Sequence, residues 1–144
     1  MTLRVHTARI SYRGADALDI TRKGNDAVGV VFAPSWKILN DAMKARADAE
    51  ECLKGANRDG AVGALHRATA YEIEDRMWAV YLPKYTEEMR ESYRVHRDVW
   101  EEVLARPKVV LTCFCDVVKW KSHCHRVVLA GLLVKCGAVY EGER

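Results

Sequence analysis

Residues 108–114 read KVVLTCF, an apolar, β-branched run with no polar alternation. A strand of that kind is buried on both faces, and sheets covered on both faces are mostly parallel, with helices as the covering layers. The rest of the chain supplies such layers. Segments with helical spacing alternate with short strand-like ones. The expected architecture is therefore a single Rossmann-like, three-layer α/β domain over 1–144 with a mainly parallel sheet. At 144 residues, of which 49% are hydrophobic, the chain is long enough to bury one real core.

The other elements are read from local signals. LRVHTARI (3–10) and ALDITR (17–22) read as strands, with a turn around Gly14 between them. KGNDAVG (23–29) has loop composition, and VVFAP (30–34) reads as a third strand or a lead-in to a helix. Pro34 and Ser35 then open a helix whose apolar side carries Trp36, Leu39, Met43, Ala49 and Leu53, with Gly55 as its stop. GANRDGAVG (55–63) reads as a mobile glycine-rich loop. Thr69 and Glu72 fit a capping box, which predicts a helix over 70–81. Pro83 interrupts it, and a second helix is predicted over 84–105, ended by Pro107. Ser122 is placed as the cap of a helix over 122–136, Gly137 as its C-terminal stop, and AVY (138–140) as a last short strand.

Several function classes are disfavoured at once. The formal charge is only +3, without the basic stripe that duplex nucleic-acid binding calls for. MTLRVHTARI lacks the apolar core of a secretory leader, and the longest apolar stretch, VVLAGLLV (127–134), is too short to span a bilayer. The expectation is a cytoplasmic protein. Five cysteines in a reducing compartment then point away from a disulfide scaffold and leave free thiols, a metal site or a reactive cysteine as explanations. There is no phosphate-loop motif, no Gly-x-Gly-x-x-Gly and no His-Glu-x-x-His.

The chemistry concentrates in LTCFCDVVKWKSHCHR (111–126), at the carboxyl end of the best strand and the start of the following helix. Open α/β sheets bind ligands there, and the helix start adds free amides and a positive dipole end. Three readings stay open. Cys113, Cys115 and Cys124, with His123 or His125, have the donor types that zinc prefers, although Cys-x-Cys departs from the usual Cys-x-x-Cys knuckle. Cys124 at a helix start beside Arg126 could be a reactive thiolate, with His125 as its proton carrier. His125 and Arg126 could bind an anion such as a nucleotide phosphate at the helix start, with the thiols as pocket lining, helped by Arg13, Arg22 and Lys23 from the N-terminal strand ends and with Trp120 as a base-stacking lid. On this last reading Arg126→Ala abolishes ligand binding and leaves the fold intact. Against all three stands the plain alternative that Cys113 packs in the core and His123 and His125 are exposed helix-start residues. Asp19 and Asp116 are the nearest carboxylates that could act as a base or orient His125. Cys52 and Cys136 read as packing residues, as do Trp36, Trp78 and Trp100.

VVLTCFCDVVKWKSHCHRVVLAGLL (109–133) resembles the C-terminal signature of the YeaO-like family, domain of unknown function 488, in its branch with Cys-x-Cys and Cys-His-Arg. The likeness falls on Cys113, Cys115, Cys124, His125, Arg126, Leu129 and Ala130. WAVYLPKYTEEM (78–89), ISYRGADALDITRKG (10–24) and FAPSW (32–36) are similar to other parts of the family. The basic, Trp-bearing insert DVVKWKSH (116–123) departs from it. The resemblance implies a compact Rossmann-like fold and a bacterial or phage setting, and no established activity. The leading expectation is a protein binding an anionic, nucleotide-like small molecule in a Cys/His/Arg pocket, with Cys124 or His125 doing any chemistry. The rival is a non-enzymatic binding protein, such as one that sequesters a nucleotide signal, with a structural metal site.

Overall fold

A computed structural model describes residues 2–57 and 60–144 of the chain. Four strands form one sheet: β1 (Arg4–Arg9), β2 (Ala17–Asp19), β3 (Lys108–Cys113) and β4 (Val139–Glu143), in the order β2-β3-β1-β4. All three strand pairings are parallel. β3 lies inside the sheet, and its residues from Val109 to Cys113 are all buried, as its unbroken apolar run requires. Register pairs Val5 with Val109, Arg9 with Cys113, and Asp19 with Thr112. Four helices accompany the sheet among the described residues: α1 (Trp36–Lys54), α2 (Gly60–Val95), α3 (Arg97–Leu104) and α4 (His125–Lys135).

The chain divides into two compact units. One comprises residues up to Pro34 together with Thr86–Arg144 and contains the whole sheet, α3 and α4. Its core includes Val5, Leu18, Ile20, Leu111, Leu129 and Leu133. Trp100 packs edge-on against Phe32, and its indole donates to the Ser92 hydroxyl, which in turn donates to the Val31 carbonyl. The other unit, Ser35–Tyr85, is helical, and Arg46 of α1 pairs there with the fully buried carboxylate of Glu74 in α2.

Several local expectations give way to their surroundings. Of the two readings of 30–34, the lead-in to a helix holds: residues 29–32 form a 3-10 turn shortly before α1, not a strand. α2 begins at Gly60, so Thr69 lies inside it and caps nothing. The helix also runs through Pro83. Proline removes one backbone donor, which strands the carbonyl of residue 79, but both positions are exposed and water can take the missing bond. The break comes instead at His96, whose dihedrals (φ −114°, ψ 40°) are not helical. Of the expected loop 55–63, Gly55–Asn57 form a 3-10 turn and Gly60 already belongs to α2, while Arg58 and Asp59 lie outside the described residues. In α1, Trp36 and Met43 are 45% and 46% exposed. The covered side is centred on Ile38, Ala42, Ala45 and Ala49, where small residues permit close packing.

One glycine matters to the site. A Cβ on Gly29 would lie 1.8 Å from the carbonyl oxygen of Asp19, the last residue of β2. Gly29→Ala is expected to cost about 1–3 kcal/mol by forcing backbone apart. Urea unfolding checks this, and an unchanged midpoint would contradict the close approach.

Candidate functional site

Because the sheet is parallel, all four strands deliver their carboxyl ends to one side. There β3 ends in Cys113, β1 in Arg9 and β4 in Glu143, while Ile20 follows β2 directly. α4 starts at the same side. Its N-cap is Cys124, in extended conformation (φ −153°, ψ 143°), so His125 and Arg126 are its first two residues. Ser122 does not cap it. The chain passes through left-handed dihedrals at Lys121 (φ 55°) and Ser122 (φ 64°), an uncommon conformation for residues with a Cβ, and this displaces the cap by two positions. At the far end, Gly137 (φ +104°) closes the helix with amide bonds from Gly137 to Val134 and from Ala138 to Leu133, a Schellman motif. α4 buries His125, Arg126, Leu129, Ala130 and Leu133, the stripe expected of one helix face.

The fold brings the three cysteines together. The sulfurs of Cys113, Cys115 and Cys124 all lie within 4.8 Å of one another and could hold a metal ion. Cys113 and Cys124 are buried with their sulfurs 2.8 Å apart, and Cys115 is half-buried. Sulfurs sharing a tetrahedral zinc at about 2.3 Å each would sit about 3.8 Å apart, so the triad fits with a small widening of its closest pair. Contact with Cys115 and burial push the Cys113 thiol up to about 11. Burial and the neighbouring sulfurs push Cys124 well above its ordinary value too. A solvent-ready thiolate at the helix start is therefore not what these surroundings favour.

His125 is 6% exposed. Its Nε2–H donates to the Ile20 carbonyl at 3.0 Å, since a carbonyl can only accept. That bond leaves Nδ1 with the lone pair, 3.9 Å from the Cys124 sulfur. Burial holds the imidazole's pKa below its ordinary value, which keeps the ring neutral. A neutral ring fixed through its far nitrogen is the usual arrangement of a metal-ligating histidine. The orienting group is a backbone carbonyl, not Asp19 or Asp116. Asp19 accepts the amide and hydroxyl of Thr21 at 2.9 and 2.6 Å, and Asp116 accepts the amides of Val118 and Lys119 at 3.1 Å each.

Arg126 is 0% exposed. Its Nε and Nη2 donate to the two oxygens of Glu143 at 3.2 and 2.5 Å. Its Nη1 donates to the Cys115 carbonyl at 2.8 Å and to the Cys113 sulfur at 2.9 Å, and lies 3.4 Å from the Cys113 carbonyl. Burial lowers the guanidinium's pKa, but Glu143 and the adjacent thiols outweigh it and raise it overall. An anion could reach this group only by displacing Glu143. Arg126 braces the end of β3 and offers a charge-assisted bond to the Cys113 sulfur.

The other candidates lie around this centre in different ways. Arg22 donates to the carbonyls of Ala33 and Pro34 at 3.0 and 2.9 Å, bracing the segment before α1. Arg13 is exposed, with its Nη1 3.4 Å from the Ile10 carbonyl, and Lys23 is exposed. Trp120 is 3% exposed, so stacking on a base would require the insert to open. Sequence reasoning passed over Arg9 and Glu143. Arg9 is exposed at the register position of Cys113, and the sheet order, not the motif, puts it there. Glu143 lay beyond the strand predicted over 138–140, which in fact extends from Val139 to Glu143.

A family model described as DUF488-N3a, the active DUF488-N3 subclade, matches residues 63–137. That span includes β3, the three clustered cysteines and all of α4. No curated protein and no solved structure matches the chain. Among the described residues, no helix is long and apolar enough to cross a membrane.

Proposed function

The chain belongs to the DUF488 family, and on that premise we propose that it is a metal-binding α/β protein whose centre uses Cys113, Cys115 and Cys124 with His125 as the fourth donor. The observation that carries this reading is the convergence of three thiols within 4.8 Å at the common carboxyl end of the sheet. The fixed tautomer of His125 and the burial of its ring support the fourth donor. Thiolate and imidazole in this number suit zinc better than harder cations. Four protein donors make a closed, structural centre, which organises the segment between β3 and α4 rather than presenting an open position to substrate. A cytoplasmic, reducing setting keeps such thiols available. The finer family likeness, to the YeaO-like branch, and the Rossmann-like three-layer form of the fold belong to the same proposal.

The test is the metal content of protein purified in reductant without chelator. About one equivalent of zinc per chain is expected, falling to well under half in Cys124→Ser. Metal-free protein that takes up no added zinc would overturn the reading.

A second reading has one observation in its favour. Arg9 and Arg13 are exposed at and just beyond the carboxyl end of β1, where this architecture commonly meets anionic ligands. A phosphorylated, nucleotide-like molecule would then bind on the rim beside the metal centre, without contacting Arg126. A double Arg9→Ala/Arg13→Ala variant should lose about tenfold or more in affinity for a nucleotide that the parent protein binds, with its zinc content unchanged. Equal affinities would remove this reading and leave the metal centre untouched.

A further inference from the structure

The closest sulfurs in the cluster sit at an intermediate distance. Cys113 and Cys124 are 2.8 Å apart. A disulfide bond is about 2.05 Å long, and two sulfurs on a tetrahedral zinc are about 3.8 Å apart. The pair is therefore about 1 Å from either arrangement. The two cysteines are also separated by the insert 114–123, which contains consecutive left-handed residues at Lys121 and Ser122, so the connection between them is not a helix or strand that would resist a small closure.

The three thiols differ in access. Cys113 and Cys124 are buried, whereas Cys115 is half-buried and touches the same cluster. A small oxidant would meet Cys115 first, with two further sulfurs within 4.8 Å to complete the reaction.

We propose that the centre is a peroxide-responsive metal switch, in which oxidation joins Cys113 to Cys124 and expels the metal. This rests on the reading of the cluster as a metal centre. The Cys115 sulfur attacks hydrogen peroxide: an S–O bond forms, the O–O bond breaks, and the departing hydroxide takes a proton to become water. The Cys124 sulfur then displaces the oxygen from Cys115 as a second water, forming an S–S bond. Cys113 attacks Cys124 in turn, and Cys115 leaves as a thiolate. The sum is two thiolates, one peroxide and two protons giving one disulfide and two waters, with two electrons passing from sulfur to peroxide. Two of the four donors are gone, and one thiolate and one imidazole do not retain the ion.

The experiment uses the zinc-loaded full chain in a Cys52→Ser/Cys136→Ser background, which removes the two thiols outside the cluster. Hydrogen peroxide is added, and metal release is followed with a chromophoric chelator alongside peptide mass. The expected result is about one zinc released as about two thiols disappear, a Cys113–Cys124 crosslinked peptide two mass units lighter, and recovery of binding after a thiol reductant and zinc. Zinc retained under peroxide would overturn the switch and leave the metal centre standing. Release accompanied by added oxygen atoms instead of a crosslink would also overturn it. A chain that never binds zinc would overturn both.

Discussion

Arg126→Ala is expected to lower folding stability by about 2–4 kcal/mol, because it removes a fully buried guanidinium together with its bonds to the end of β3, although its ion-pair partner Glu143 keeps part of its solvation. The guanidinium is 0% exposed and joins three elements: α4 carries it, Glu143 of β4 accepts from two of its nitrogens, and the end of β3 accepts from a third. Deleting it leaves a cavity at the start of α4 and removes the bonds that tie Glu143, the Cys113 sulfur and the Cys115 carbonyl to that helix. Arg126→Lys should recover little, because one ammonium cannot meet Glu143 side-on and reach the β3 end as well. Glu143→Gln should cost less, since that side chain is 31% exposed and the amide still accepts one bond. Urea unfolding of the three variants gives the order. A loss below about 1 kcal/mol for Arg126→Ala would mean that the guanidinium is not a structural brace. The anion-binding reading of Arg126 would then recover its appeal, since that reading expects a folded variant that merely fails to bind.

The contrast marks where sequence reasoning stops. That Cys113, Cys115 and Cys124 form one cluster, with His125 and Arg126 beside it, was legible, because the motif is short and its residue types are unusual together. The buried strand β3 and the Gly137 stop were legible for a similar reason: an unbroken apolar run and a left-handed glycine act within a few residues. What Arg126 does was not legible, because its partner Glu143 comes from a strand whose place beside β1 depends on the strand order β2-β3-β1-β4. The orienting partner of His125 was hidden for the same reason. It is a backbone carbonyl 105 residues away in sequence, and backbone groups leave no mark in a residue pattern. Local rules failed where surroundings could satisfy their cost. Pro83 stays inside α2 because its side is exposed, and Ser122 loses the cap to Cys124 because the insert enters α4 through two left-handed residues.

Chelation should have an effect of the same order as the loss of Arg126, by a different route. A ligand that binds only the folded state stabilises it by an amount set by its free concentration over Kd, about 4 kcal/mol at 1,000 times Kd. For a chain of this size that corresponds to a melting temperature lowered by about 10–15 °C when zinc is withdrawn under reducing conditions. The apo centre explains the direction. Without a cation, Cys113 and Cys124 remain buried thiols raised above their ordinary pKa values, crowded at 2.8 Å, with a buried guanidinium aimed at one of them. The decisive comparison is Cys115→Ser. Cys115 is half-buried, so the substitution does little to the core itself, yet it removes one of the proposed donors. The variant should therefore melt near the temperature of the chelated parent and should respond to chelator by only a fraction of the parent's shift. If chelator lowers the melting temperature of Cys115→Ser as much as that of the parent, the stabilising metal is bound elsewhere. If it moves neither, no metal contributes to stability, and the thiols are packed at the sheet end for another purpose.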